Sequence, residues 1–446
     1  MHKPRKPPNE GPILQPGRLA DPAVAAKIDE IIRKTQDQYL HWEEFRHIFP
    51  APPGTSAEEV WRFLRVARWV DRRTIPLLST GGKPFSYCVP ECILRDLHWV
   101  DRFGGGLQHA SPLAEMDRDE RERYLANSLM EEAITSSQVE GAAVTRDQAK
   151  EMLRTGRRPR NRSERMVLNN YHTMQRIKAL SDRPLSPGMV LELQRIVTEG
   201  TLNKPDAAGR LRRPDERIDV ANEEGNTLHV PPPAGELSER MERLCAFANE
   251  AGDTPFTHPV ARAILLHFWL AYDHPFVDGN GRTARALFYW YMLKSGYWLM
   301  EFISISSVMR ESYGQYRDAF LYAETDDEDA TYFIAYHLKV ILQALARIEE
   351  YVALKRGQNA EIVRLLDGRE GLNYRQQALL ARALRHRNAL FTFRSHATSH
   401  NVTHATARKD LLYLAGLGLL EKRKRGREFV FIAPRDLPER LGPPQA

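Results

Sequence analysis

Within twelve residues the chain sets a base, a carboxylate, two glycines and two guanidiniums: His274-Pro275-Phe276-Val277-Asp278-Gly279-Asn280-Gly281-Arg282-Thr283-Ala284-Arg285. Each type has a use at a phosphate. An imidazole, with an unperturbed pKa near ~6.5, accepts a proton from an attacking hydroxyl at neutral pH. A carboxylate such as Asp278 can hold a divalent ion that bridges phosphate oxygens. Gly279 and Gly281 lack Cβ, so the backbone can bend and aim its N–H groups at an anion, at the positive end of the helix that follows. Arg282 and Arg285, three apart, are neighbours at the start of that helix and offer forked donors to phosphate oxygens. A solvated helix start beside a packed histidine would account for any one of these residues but not for the set.

A second run, Ser136-Ser137-Gln138-Val139-Glu140-Gly141, places a hydroxyl and a carboxylate four apart, on one helix face, with a glycine suited to end the helix. Alone it is commonplace, since Ser and Glu on a solvated helix need no function.

The elements that position these runs read as helices. Apolar spacing and end signals predict helices over Asp21 to about Arg46, from an N-cap at Ser56 through Trp69, and over Asp119 to Gly141, Glu164 to Lys178, Ser186 to Val197, Gly235 to Asn249 and Pro259 to Tyr272. Gly209 to Pro231 is short, polar and turn-rich, which suits a hairpin or flap. His258 and His267 lie outside the loop motif and read as capping or core residues. Asp273 reads as a polar helix end, with orientation of His274 as the alternative.

The 446 residues suit two or three domains, 42% hydrophobic and 27% charged, a globular composition. Apolar runs stay well short of the ~18 residues that span a bilayer, so no membrane association is expected. Residues 1–20, basic and proline-rich without an apolar segment behind them, read as a disordered tail and not a secretory signal. Three cysteines, Cys88, Cys92 and Cys245, point to a reducing, cytoplasmic setting and to ordinary thiols in place of zinc or disulfides. The net charge of +6 is a weak sign of an anionic partner by itself.

The run from His274 to Arg285 resembles the Fic family's His-x-Phe-x-Asp-Gly-Asn-Gly-Arg-x-x-Arg at every defined position, and Ser136 to Gly141 resembles that family's inhibitory pattern Ser/Thr-x-x-x-Glu-Gly/Asn. The resemblance covers roughly residues 20 to 350 and implies a mainly α protein, a Fic-type helical bundle with a β-hairpin flap. It implies transfer of AMP from ATP to Ser, Thr or Tyr hydroxyls of a protein, with other phosphate-containing donors as a variant. His274 would be the base, Asp278 the ligand of magnesium or manganese, and Phe276 a buried anchor. Gly279, Asn280 and Gly281 would form the anion cradle, with Arg282 and Arg285 as triphosphate clamps. Glu140, with Ser136, would occupy Arg285 where the γ-phosphate belongs. Tyr316, with Ser312 and Tyr313 before it, stands where the family contacts the nucleobase. Gly209 to Pro231 would hold a target peptide by main-chain hydrogen bonds. The target protein stays unknown; self-modification and a homodimer are compatible with the resemblance.

The expected domains are an N-terminal helical region over 21–115, a catalytic core over 116–357 with its inhibitory helix at about 119–141, and a C-terminal domain over 358–446. The last, with a helix over Thr403 to Leu414 and a basic run around Gly426 before Phe429-Val430-Phe431-Ile432, resembles a winged helix-turn-helix. DNA contact and protein docking are both open to it. A nucleotide-sensing transcriptional or antitoxin-like regulator is therefore the alternative to the enzyme.

Overall fold

Helix after helix begins at a side chain able to accept the N–H groups that a helix start leaves orphaned. Ser56, Thr145, Asn161, Ser186 and Thr403 each accept from the third residue of the helix they open. A computed structural model describes residues 3–105, 113, 116, 118–221, 224–250, 256–366, 371–386, 389–425 and 428–442. It divides the chain into two units, Met1–Ile348 and Glu349–Ala446. The protein is mainly α, as expected.

In the first unit the helices Pro259–Asp273 and Asn280–Lys294 lie at the centre and pack on each other. Both are buried almost all round, through residues such as Leu266, Phe268, Trp269, Leu287, Phe288 and Trp290, the mark of a helix enclosed by others. Arg162–Leu180 and Pro187–Thr198 pack against the second of them, and Arg118–Val139 packs on Arg162–Leu180 and on Ile305–Glu311. Arg118–Val139 ends as the glycine at 141 requires. Gly141 has φ +86°, its N–H bonds to the Gln138 carbonyl at 3.0 Å, and the Ala142 N–H bonds to the Ser137 carbonyl at 3.0 Å, the paired closure of a Schellman end.

Several expectations change. The stretch from Asp21 to Arg46 is two helices, Pro22–Asp37 and Trp42–Ile48. Gln38 is extended, and His41 opens the second helix with a reciprocal capping box to Glu44, while Tyr39 donates to Asp329 at 2.6 Å. Residues 8–14, expected within a disordered tail, lie against the Ala57–Val70 helix. Arg62 donates to the Pro12, Glu10 and Pro8 carbonyls, and Leu14 joins the cluster of Trp42, Phe45 and Trp61. An unexpected antiparallel pair, Arg73–Leu78 with Pro84–Tyr87, is tied by Ser86 to the Glu328 carbonyl and the Ala330 N–H. A long helix runs from Thr331 to Leu366.

In the second unit Ile362 and Leu366 join Leu379, Leu380, Leu411, Leu414 and Phe431 in one core. Its order is helix Tyr374–Arg385, strand Leu390–Phe391, helices Phe393–His400 and His404–Gly416, then strands Glu421–Arg425 and Glu428–Ile432. The last strand lies between the other two, antiparallel to both, with Arg425 opposite Glu428. The expected tip around Gly426 lies outside the described residues. Cys88, Cys92 and Cys245 are buried free thiols. Among the described residues no helix is long and apolar enough to cross a membrane.

Candidate functional site

The loop between the two central helices is held from several sides. His274 closes the first helix in the left-handed region, φ 44° and ψ 54°, with its N–H on the Leu270 carbonyl at 3.1 Å. That backbone is costly for a residue with a Cβ. It is secured by Arg212, whose Nε donates to the His274 carbonyl at 3.0 Å and whose N–H donates to the Pro275 carbonyl at 2.9 Å. Phe276 is wholly buried, as expected. Asn280 turns both ends of its amide to the Phe276 backbone, each at 2.9 Å, and so braces the loop. Gly279 needs its missing Cβ: φ is +85°, and a Cβ there would meet Thr198 at 2.8 Å and Val197 at 3.2 Å. Gln194 clasps the same turn, donating to the Asp278 carbonyl at 3.0 Å and accepting from the Gly209 N–H at 2.6 Å.

The His274 ring points its Nδ1 at the Ala271 carbonyl, 3.4 Å away. A carbonyl only accepts, so Nδ1 carries the proton and Nε2 keeps its lone pair. Burial pushes the imidazole down to about 4, against the Ala271 carbonyl and Glu140, with His229 and Arg212 lowering it further. The ring is neutral at pH 7. Asp273 does not orient it: its carboxylate takes Arg240 at 3.1 Å and the Trp269 indole at 2.9 Å. Burial lifts that carboxyl to about 6 despite Arg240.

Both motif arginines are buried. Arg282 donates to the Val197 carbonyl at 3.0 Å and to Asp278 at 3.2 Å. The outer oxygen of Asp278 takes Arg162 at 3.1 Å. Arg285 turns instead to the helix of the second motif, with Nε on the Ser136 hydroxyl at 2.8 Å, and Nη2 on the Ser136 carbonyl at 3.0 Å and on Glu140 at 2.9 Å. Burial would raise the Glu140 carboxyl, but Arg285 and then Arg282 outweigh it and hold it below the usual range. Two buried donors, Arg285 Nη1 and Arg282 Nε, have no hydrogen-bond partner among the described residues, which is the condition of groups shaped for an anion.

Glu140, His274, Gly281 and Tyr316 line one cavity with Val220 and His229. The last two come from the antiparallel pair Val220–Ala221 and Thr227–His229, inside the expected flap. His229 pins that pair down, with one ring nitrogen 2.9 Å from Glu324 and the other 2.7 Å from the Tyr272 carbonyl. Tyr316 is fixed by a chain of rings: its hydroxyl lies 3.1 Å from His267, His267 lies 3.1 Å from His337, and His337 reaches the Phe333 carbonyl at 3.1 Å. The carbonyl sets the proton on each neutral ring in turn, so Tyr316 must donate. His267 is thus a core residue, and His258 caps its helix by accepting from the Val260 N–H. Ser312 bonds to the Val308 carbonyl and to Tyr336. Arg162, Gln194, Arg212 and His229 carried no motif that singled them out in the sequence; only the turn-rich character of 209–231 pointed toward the last two.

Residues 184–292 match the family model described as the Fic/DOC family. The chain is 44% identical over 69 residues to the protein adenylyltransferase Fic of Drosophila virilis, a stretch covering 16% of this chain and 14% of that protein. To the protein of the same name in Drosophila melanogaster it is 42% identical over 69 residues, with the same coverage, 16% and 14%. The match thus spans a small part of these relatives. A crystal structure of a Fic family protein from Desulfovibrio desulfuricans shares the fold, with a TM-score of 0.50 and 18% identity over 77% of this chain and 95% of that one. Residues 184–292 are thus a Fic/DOC domain.

Proposed function

We propose that this protein transfers the AMP part of ATP to a Ser, Thr or Tyr hydroxyl of a protein, its own chain among the acceptors, and that Glu140 restrains it. The observation that supports this most is the placing of Glu140 on Arg285 in the cavity that also holds His274. In the reaction the hydroxyl oxygen bonds to the α-phosphorus, its proton passes to His274 Nε2, and the bond to the bridging oxygen breaks to release pyrophosphate. Arg282, Arg285 and the N–H groups at the start of the Asn280–Lys294 helix meet the charge that develops. Magnesium or manganese would be held by Asp278, whose carboxylate is partly exposed, in exchange for its contacts to Arg162 and Arg282; such hard ions are held by one or two carboxylates together with phosphate oxygens. When bound, the ion neutralises phosphate charge. Tyr316, its hydroxyl committed to His267, offers the nucleobase its ring.

Glu140 acts by filling the donors that the γ-phosphate would use. Incubation of the Glu140→Gly protein with ATP labelled on the α-phosphate should leave label on protein, and label on the γ-phosphate should not be retained. Retention of the γ label, or of neither, contradicts the reading.

A second reading concerns the C-terminal unit, which we read as a winged helix that meets DNA. Lys422, Arg423, Lys424 and Arg425 are exposed along one strand of its hairpin, and Thr403 caps the helix that would enter the groove. Binding to duplex DNA should weaken as salt rises, with a slope set by the phosphates contacted. Salt-independent binding, or none, would reject it.

A further inference from the structure

The helix that carries Glu140 touches the motif helix at a second, deeper point. Glu132 is buried, 1% exposed. Its carboxylate accepts from the Tyr289 hydroxyl at 3.0 Å, the Ser304 hydroxyl at 2.8 Å, the Ser306 N–H at 3.1 Å and the Ser306 hydroxyl at 2.5 Å. Tyr289 is itself held, because its oxygen accepts from the Ile305 N–H at 2.9 Å. The spacing repeats on both helices. Glu132 meets Tyr289; four residues on, Ser136 meets Arg285; four further, Glu140 stands over Gly281. The two helices therefore run in opposite senses past each other with one contact per turn, each contact on the same face.

We propose that Glu132 is the positioning residue of the inhibitory contact, a latch that sets the register in which Glu140 reaches Arg285. Eight helical residues, about 12 Å, separate the two carboxylates, so Glu132 never touches the nucleotide site. Its seat nevertheless fixes both rotation and translation of the helix. A carboxylate that has left water holds its place through the completeness of its hydrogen bonds. Relief of inhibition must then break the Glu132 cluster, and whatever withdraws the helix acts against Tyr289, Ser304 and Ser306. This rests on the reading of Glu140 as the inhibitor.

Glu132→Gln keeps the shape and removes the charge that gathers four donors. In the full-length protein, self-modification by ATP should rise several-fold toward the level of Glu140→Gly. In the Glu140→Gly background the same change should add nothing and take nothing away. Hydrogen exchange across residues 128–139 should quicken while the rest of the first unit keeps its protection. A rate unchanged by Glu132→Gln while Glu140→Gly is activated overturns the latch, and so does a loss of activity in the Glu140→Gly background, which marks a merely structural role. If Glu140→Gly is itself inert, the inhibitory reading fails, and exchange still decides whether Glu132 seats the helix: unchanged exchange overturns it. Should Glu132→Gln not fold, Ser306→Ala removes one of the four donors, the hydroxyl, and must shift rate and exchange in the same directions to a smaller extent; no shift overturns the proposal.

Discussion

Glu140 and Gly281 contest one volume: a Cβ at position 281 would overlap the Glu140 carboxylate and crowd the Arg285 guanidinium at 3.1 Å. The missing side chain at 281 is thus what lets the inhibitory carboxylate reach its arginine, at the same helix start that would receive phosphate. Glu140→Asp keeps the charge but draws it back by one methylene. Its rate of AMP transfer should fall between wild type and Glu140→Gly, measured by incorporation of α-labelled ATP; a rate equal to wild type would mean that charge near Arg285, and not contact with it, inhibits.

Gly279→Ala should destabilise the first unit. The residue has φ +85° and its new Cβ would meet Thr198 at 2.8 Å. Left-handed strain of this kind costs on the order of 1–3 kcal/mol. Denaturant unfolding of the first-unit signal checks it, and a loss under about 0.5 kcal/mol, the range of a bland surface change, would contradict the strained geometry.

The pH dependence of kcat/KM for ATP in Glu140→Gly should show no inflection near 6.5. Burial holds the His274 proton affinity down at about 4, and kcat/KM reports groups of the free enzyme. The base form is then present throughout neutral pH, and activity falls only on the acid side, as the ring charges. An acid limb centred on 6.5 would contradict this and mark a solvated ring.

Fold stability should decline as the pH falls from 6.5 toward 4. His41 and His337 are lowered to about 3 and His274 to about 4, all by burial first, and His267 is lowered too. Each has a folded value below that of the unfolded chain, so the unfolded state binds protons first, and the stability present above 6.5 is lost as the pH drops through the folded values. Thermal melts at stepped pH test this. A melting temperature that stays level from 6.5 to 4 would contradict neutral burial of these rings.

What the sequence made legible was local. The loop motif is twelve consecutive residues, so base, carboxylate, glycines and guanidiniums could be read together, and the helix ends at Ser56, Ser186, Gly141 and Thr403 follow from short-range capping chemistry. The Glu140–Arg285 pairing spans 145 residues and was legible only through the family resemblance. Glu132, whose partners lie 157 to 174 residues away, left no spacing to find, and neither did Arg162 with Asp278 across 116 residues. The break at Gln38 to His41 was hidden because apolar spacing continues on both sides, and His41 is not among the usual capping residues. The bracing of the Phe276 backbone by the Asn280 side chain was likewise not legible from its place in the motif.

The central claim, a neutral His274 serving as base beside arginines that Glu140 blocks, is tested most directly by intact-mass measurement of the full chain after incubation with ATP and magnesium. Glu140→Gly should gain the mass of one or more AMP groups, wild type much less, and Glu140→Gly combined with His274→Ala none. An unchanged mass for Glu140→Gly, or a gain that survives His274→Ala, would contradict it.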